Sequence, residues 1–290
     1  MRKVLVTGGR GQLGSRLAEH AGGNAAMVFA VDRSACDITD PQSIARTLDA
    51  FEPHAVINAA AYTAVDRAES EPDLAHAINA IGPELLALAC AERGIDFVHI
   101  STDYVFSGTS QQPYSPEDPP APQGVYAASK LRGEEAVKQA FASAATAARY
   151  WIIRVAWLYD VRGSNFLQTM LRLGNAGKAL KVVDDQVGAP TAARPFAECL
   201  MALVTMATPP KSGIWHYSTL GPTTWYGFAD AIFKAQELDV DLSPCTTDEF
   251  PTPAKRPAFS YLDGGPLAHA MGRAQVPWDL ELKNELNRKE

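Results

Sequence analysis

Tyr126 and Lys130 stand four residues apart in Tyr126-Ala127-Ala128-Ser129-Lys130, a stretch of helical composition, so their side chains share one helix face. An ammonium beside a phenol favours the phenolate, and the pair predicts a Tyr126 pKa lowered toward neutrality. Such a phenol is a competent proton donor to a carbonyl that is receiving hydride. The same ammonium can hold the ribose of a nicotinamide. Phenol and ammonium meet at this spacing by chance on many exposed helices, so position in the chain decides. The pair follows Ser101-Thr102-Asp103, which comes directly after the apolar run Phe97-Val98-His99-Ile100. Hydroxyls at the carboxyl end of a central strand lie at the ligand crevice of an open α/β sheet. Asp103 and Asp118 have no spacing with acid–base logic.

A hydride needs a carrier, and the amino-terminal stretch has the residues to hold one. Val4-Leu5-Val6 reads as a strand, and Gly8, Gly11 and Gly14 follow at three-residue spacing, with Leu13 and Leu17 beginning a helical pattern. Glycine suits a sharp turn, a close approach to a pyrophosphate and tight helix–strand packing. The second strand candidate, Met27 to Val31, ends in Asp32. An acidic residue at that place, ~20 residues on, can accept from an adenosine ribose. Arg33 follows at once and could pair with a 2′-phosphate. The cofactor expected is therefore NADPH or NADH. Asp37-Ile38 falls where such a fold borders the adenine, and Asp37 is equally well an adenine acceptor or a loop-surface carboxylate. Asn58-Ala59-Ala60-Ala61-Tyr62 ends a further strand candidate with small residues that leave room for a ligand.

The elements that must position these residues alternate. Apolar runs 28–31, 55–57, 97–100 and 151–153 read as buried parallel strands. Helices intervene, one opened by Asp40-Pro41 and one running from Pro83 to Arg93 with Gly94 as its stop. Repeated βα units imply an α/β fold, a Rossmann-type doubly wound parallel sheet. Asn79, inside an apolar helical stretch, reads as structural. The Pro-rich segment 111–123 reads as a surface loop. After Arg154 the alternation weakens, with helices expected at 166–173, 195–206 and 225–236 and short strands at 181–183 and 214–217. His216 reads as a strand residue with a satisfied ring. The division expected is 1–154, mainly dinucleotide-binding, and 155–290, mainly a smaller mixed α/β substrate lobe with some strands returning to the sheet.

Bulk properties narrow the class. The chain has 290 residues, 47% hydrophobic and 20% charged, with net charge −7 and no basic block, so no nucleic acid partner is expected. No membrane-spanning run and no signal peptide are expected. Cys36, Cys90, Cys199 and Cys245 are scattered and form no metal-ligand pattern, so no metal is expected and a cytoplasmic location is.

At this point the motifs together resemble the dTDP-4-dehydrorhamnose reductases of the extended short-chain dehydrogenase/reductase superfamily. The superfamily likeness rests on Gly8/Gly11/Gly14, Ser101-Thr102 and Tyr126-xxx-Lys130. The family likeness rests on segments 11–14, 36–40, 58–66, 101–106, 154–159, 185–191, 225–229 and 256–260, nearly the whole chain. The resemblance implies reduction of the C4 ketone of dTDP-4-dehydro-L-rhamnose by NADPH or NADH. It places Gly11, Gln12 and Leu13 on the pyrophosphate, Asp32 or Arg33 on the adenosine ribose, and Asp37-Ile38 on the adenine. Ala60, Ala61, Tyr62 and Thr63 would line the cofactor. Thr102, Asp103 and Trp157 would contact the sugar, with Thr102 also bonding the ketone. Two positions depart from the pattern. Arg16 and Arg194 stand where some members carry acidic residues of a magnesium-linked dimer, so a monomer or a metal-free homodimer is expected. Ser107-Gly108 stands in place of Asp-Gly. Two other readings share these residues: an epimerase or reductase acting on another nucleotide sugar, and a non-catalytic regulatory subunit. Intact Thr102, Tyr126 and Lys130 weigh against the last.

Overall fold

Fully buried apolar runs can pair only with one another, and in the computed structural model, which describes residues 1–22 and 26–288, they do. The strands are β1 (Arg2–Thr7), β2 (Ala26–Val31), β3 (Ala55–Asn58), β4 (Asp96–Thr102), β5 (Tyr150–Val155) and β6 (Gly213–Tyr217). They form one six-stranded sheet in the order β6-β5-β4-β3-β1-β2. Every neighbouring pair is parallel. The doubly wound sheet is thus present. The chain leaves β1 toward β2 and then returns to β3 on the other side, so a crevice opens above the carboxyl ends of β1 and β3.

The helices that cover it are α1 (Gln12–Ala18), α2 (Pro41–Phe51), α3 (Gly82–Arg93), α4 (Val125–Ser143), α5 (Phe166–Asn175), α6 (Ala193–Thr205) and α7 (Trp225–Ala235). Side chains alternate across the sheet. Val4, Val6, Ile57 and Ile153 face Leu13 and Leu17 of α1 and Phe196 and Leu200 of α6. Leu5, Val56, Phe97 and Ile152 face Ile44, Leu86 and Val137 of α2, α3 and α4. Asp40 caps α2 by accepting from the Gln42 N–H, with Pro41 at the first helical position. Gly94 ends α3 in the left-handed region, and Pro83 lies in its first turn. A π-helical turn, Ala77–Ile81, precedes α3 and holds buried Asn79.

One expectation is corrected. Among the described residues the helical run Pro72–Arg93, of mean hydropathy 1.4, is long and apolar enough to cross a bilayer. Pro83 masks it in the sequence, since proline also stands in the first turn of a new helix. Here its inner face packs on α2 and α4.

A second cluster forms from Tyr159, Leu167, Met170, Phe228, Ile232 and Leu282, on α5, α7 and the helix Trp278–Asn287. This lobe stands over the crevice. From the same half of the chain, β6 and α6 belong to the sheet and its cover.

Candidate active site

The turn after β1 leaves no room for side chains. Gly8 has φ +69°, and a Cβ there would lie 2.7 Å from the Ala60 backbone nitrogen; one on Gly14 would lie 2.1 Å from the Gly8 carbonyl oxygen. Gly11 caps α1 without a side chain, so the first N–H groups of that helix are left for another acceptor. A cradle that a Cβ would fill fits a pyrophosphate, and two adjoining cavities extend from it. They share Gly11, Ala59, Ala60 and Ala61 as common wall.

The first cavity, about 520 Å³, is lined by Gly8, Asp32, Arg33, Asp37 and Ile38. Asp32 accepts from the Ser34 N–H and hydroxyl, and Arg10 pairs with it at 2.7 Å. Arg33 Nε donates to Asp37 at 3.0 Å, and Asp37 also accepts from Thr39. The Ser34 bonds hold the Asp32 carboxyl below its usual range, and the Thr39 bonds do the same for Asp37. Arg10 has no sequence signal beyond its place between two glycines, and its guanidinium is exposed.

The second cavity, about 500 Å³, is lined by Gln12, Leu13, Thr63, Thr102, Asp103, Tyr126, Lys130 and Trp157. Residues from β4, α4 and the segment after β5 thus meet at one place. Tyr62 does not line either cavity. Its ring packs with Ala68 and Ala75, its hydroxyl donates to Glu71 at 2.5 Å, and its backbone is held by Asn79. The loop after β3 has no strand alternation to say which way residue 62 points.

The electrostatics differ from the expectation at Tyr126. Burial pushes the phenol up to about 12 rather than down; a Thr102 hydrogen bond opposes this and the Asp103 charge adds to it. Lys130 does not reverse the shift. Its Nζ donates to the Ile100 carbonyl oxygen at 2.6 Å and lies 3.4 Å from His99 Nε2. Burial pulls Lys130 down to about 8, against a rise from Glu134. Thr102 donates to Asp103 Oδ1 at 3.0 Å, and burial pushes that carboxyl up to about 6, against the Thr102 hydrogen bond. Asp103 Oδ2 is buried without a hydrogen-bond partner, and the residue is part of the cavity lining.

Opposite the phenol stands an aromatic wall. Trp157 stacks on Trp225 with centroids 3.7 Å apart and planes at 11°, and Phe166 leans on Trp225 at 4.7 Å. Trp157 holds φ +47°, an uncommon conformation for a bulky residue, and the stack fixes its ring. No sequence signal marks Trp225 and Phe166 as site residues, because they come from separate elements of the second lobe. Polar clasps join that lobe to the sheet domain. Arg16 binds Asp160 through two bonds of 2.5 and 2.7 Å, and Asn165 Nδ2 donates to Gln12 at 2.9 Å. Arg256 grips Asp66 at 2.8 and 3.0 Å. Arg194 reaches Glu19 and Glu285. The two arginines that break the acidic pattern are therefore part of an internal ion network.

Comparison with known proteins agrees with this arrangement. Residues 1–290 match the family described as RmlD substrate binding domain. A dTDP-4-dehydrorhamnose reductase of Burkholderia thailandensis is 40% identical over 290 residues, 95% of each chain. The crystal structure of a dTDP-4-dehydrorhamnose reductase from Clostridium acetobutylicum is 40% identical, covers 98% of each chain and superposes with a TM-score of 0.91. One from Bacillus anthracis, in complex with NADP, is 36% identical with the same coverage and a TM-score of 0.91. With the glycine cradle, the Thr102/Tyr126/Lys130 cavity and likeness along the whole chain in agreement, the chain belongs to the RmlD family, the dTDP-4-dehydrorhamnose reductases.

Proposed function

We propose that the protein reduces the C4 ketone of dTDP-4-dehydro-L-rhamnose to the alcohol of dTDP-L-rhamnose, using NADPH or NADH. The observation that carries this is the meeting of Thr102, Tyr126 and Lys130 in a cavity continuous with the glycine cradle. A nicotinamide cofactor bound along the shared wall supplies the hydride. The chain supplies the rest. Ketone, hydride and one proton give the alcohol, and the proton comes from the Tyr126 hydroxyl. A phenol pushed up to about 12 holds that proton at neutral pH. Thr102, within hydrogen-bond reach of Tyr126, orients the ketone oxygen between them. Asp103, with an unpartnered oxygen, and the Trp157 face receive the sugar. Gly11, Gln12 and Leu13 take the pyrophosphate, Asp32 or Arg33 the adenosine ribose, and Asp37-Ile38 the adenine. Lys130 holds the nicotinamide ribose. Ala60, Ala61 and Thr63 line the cofactor through their side chains, and residue 62 only through its backbone.

A monomer or a metal-free homodimer suits the occupied arginines, since Arg16 and Arg194 put positive charge where a shared cation would need carboxylates. Four buried, unpaired cysteines suit a cytoplasmic setting. The test is oxidation of NADPH, with NADH in parallel, against dTDP- and GDP-linked 4-keto sugars. Stoichiometric oxidation with the dTDP sugar is expected. Turnover with the cofactor retained and unchanged would mark an epimerase, and no turnover with any sugar would refute the reductase reading.

A further inference from the structure

Beneath α4 the sheet carries a buried polar row. Thr7, Asn58 and His99 stand side by side in register on β1, β3 and β4. All three are at most 1% exposed. Two places along, Ser101 of β4 and Arg154 of β5 engage Glu134 of α4, which accounts for the charges of the Arg154–Glu134 pair. The Thr7–Asn58–His99 row has no such partner, and it ends at Lys130.

One backbone group fixes every donor and acceptor in it. The Ala60 N–H donates to Asn58 Oδ1 at 3.3 Å, and a backbone N–H cannot do otherwise. With the Thr7 hydroxyl also donating to Oδ1 at 2.7 Å, the Asn58 amide points Nδ2 at His99 Nδ1, 3.2 Å away. That nitrogen must then carry the lone pair. A neutral imidazole with a bare Nδ1 has its proton on Nε2, and Nε2 lies 3.4 Å from Lys130 Nζ. Burial holds the ring far below its usual range, so it stays neutral. An ammonium at Lys130 would meet this N–H donor to donor. A neutral amine accepts from Nε2–H and still donates to the Ile100 carbonyl oxygen.

We propose that His99 is a positioning residue of this site: its Nε2–H, locked by Asn58 and the Ala60 N–H, biases Lys130 toward the neutral amine. The proton returns, from solvent, when an acceptor is presented to the amine. Other groups facing Lys130 do not replace this effect. Glu134 and Tyr126 come from its own helix, Asp103 follows β4, and Arg154 comes from β5; the π-helical turn contributes only uncharged Asn79. Of these Glu134 favours the ammonium, and Ser101 and Arg154 share its charge. The inference rests on the placement of Lys130 in the reductase site, and it is tested by a measurement that needs no turnover.

The experiment is a pH titration of the lysine Cε resonances in the full chain labelled with ¹³C-lysine. The signal lost in Lys130→Arg identifies the residue. A midpoint well below that of ordinary lysines near 10.4 is expected for Lys130. His99→Gln, which can turn an amide oxygen toward the amine, should raise that midpoint by about one unit or more. Asn58→Asp keeps the ring but makes its partner an acceptor, moves the imidazole proton to Nδ1, and should raise the midpoint too. The basic limb of the kcat profile should move in the same direction. A Lys130 signal titrating with the other lysines, or an unchanged midpoint in whichever variant folds, overturns the proposal. Loss of turnover with these shifts intact would count against the reductase reading alone.

Discussion

Replacing Arg16 by Met removes the cation from a pair whose side chains are 1% and 4% exposed. Taking one partner from a buried pair costs about 3–5 kcal/mol, because the other charge is left without compensation. Asp160 is not wholly abandoned. It still accepts from the Arg162 N–H at 2.8 Å and has the half-exposed Arg162 guanidinium at 3.8 Å. The loss should therefore lie at the lower end, about 3 kcal/mol. With 290 residues at ~2.1 cal/mol/K each, the unfolding entropy is roughly 0.6 kcal/mol/K, so the melting temperature should fall by about 5 °C. Calorimetry and urea unfolding measure this directly. The double variant Arg16→Met/Asp160→Leu removes both charges and should recover most of the loss. A single variant within about 1 kcal/mol of the parent, or a double variant no better than the single, would refute the reasoning.

Tyr126→Phe should lower kcat by about 10²–10⁴ while cofactor affinity stays near the parent value, because only the transferable proton is removed; stopped-flow reduction and fluorescence titration separate the two. Trp157→Ala breaks the stack on Trp225 and should raise KM for the sugar two- to tenfold, about 0.5–1.5 kcal/mol, with cofactor binding held. Loss of both affinities in equal measure, read by calorimetric titration, would remove Trp157 from the sugar site. Arg33→Ala should raise KM for NADPH by about tenfold and leave NADH nearly unaffected, as one exposed charge-assisted contact would. Equal effects on both cofactors would show that Arg33 does not meet a 2′-phosphate.

Much of the architecture was legible because its signals are local. Val4 to Val6, Ala55 to Ile57 and Trp151 to Ile153 are apolar on both faces, and only a covered parallel sheet accepts such runs. Gly8 and Gly14 mark backbone contact that no other residue allows. The shift at Tyr126 was not legible. Spacing puts Lys130 on the same helix face, but the reach of its amine is decided by Ile100 and His99 on another element, and the sign by burial. Tyr62 sits in irregular chain, where neither a period of two nor one of 3.6 fixes direction. Trp225 and Phe166 join the wall only because α5 and α7 fold together. The run Pro72–Arg93 was divided at Pro83, although proline is tolerated in the first turn of a helix.

The clasps across the cleft are unequal, and the inequality has a direction. Arg16 and Asp160 are sealed from water, while Arg256 and Asp66 are 21% and 39% exposed. A solvated pair yields at little cost, and a sealed one does not. Any breathing of the upper lobe must therefore pivot about the Arg16 corner and part at the Arg256 edge. Traffic in and out of the cavity would pass on that side, as through a gate hung from one post.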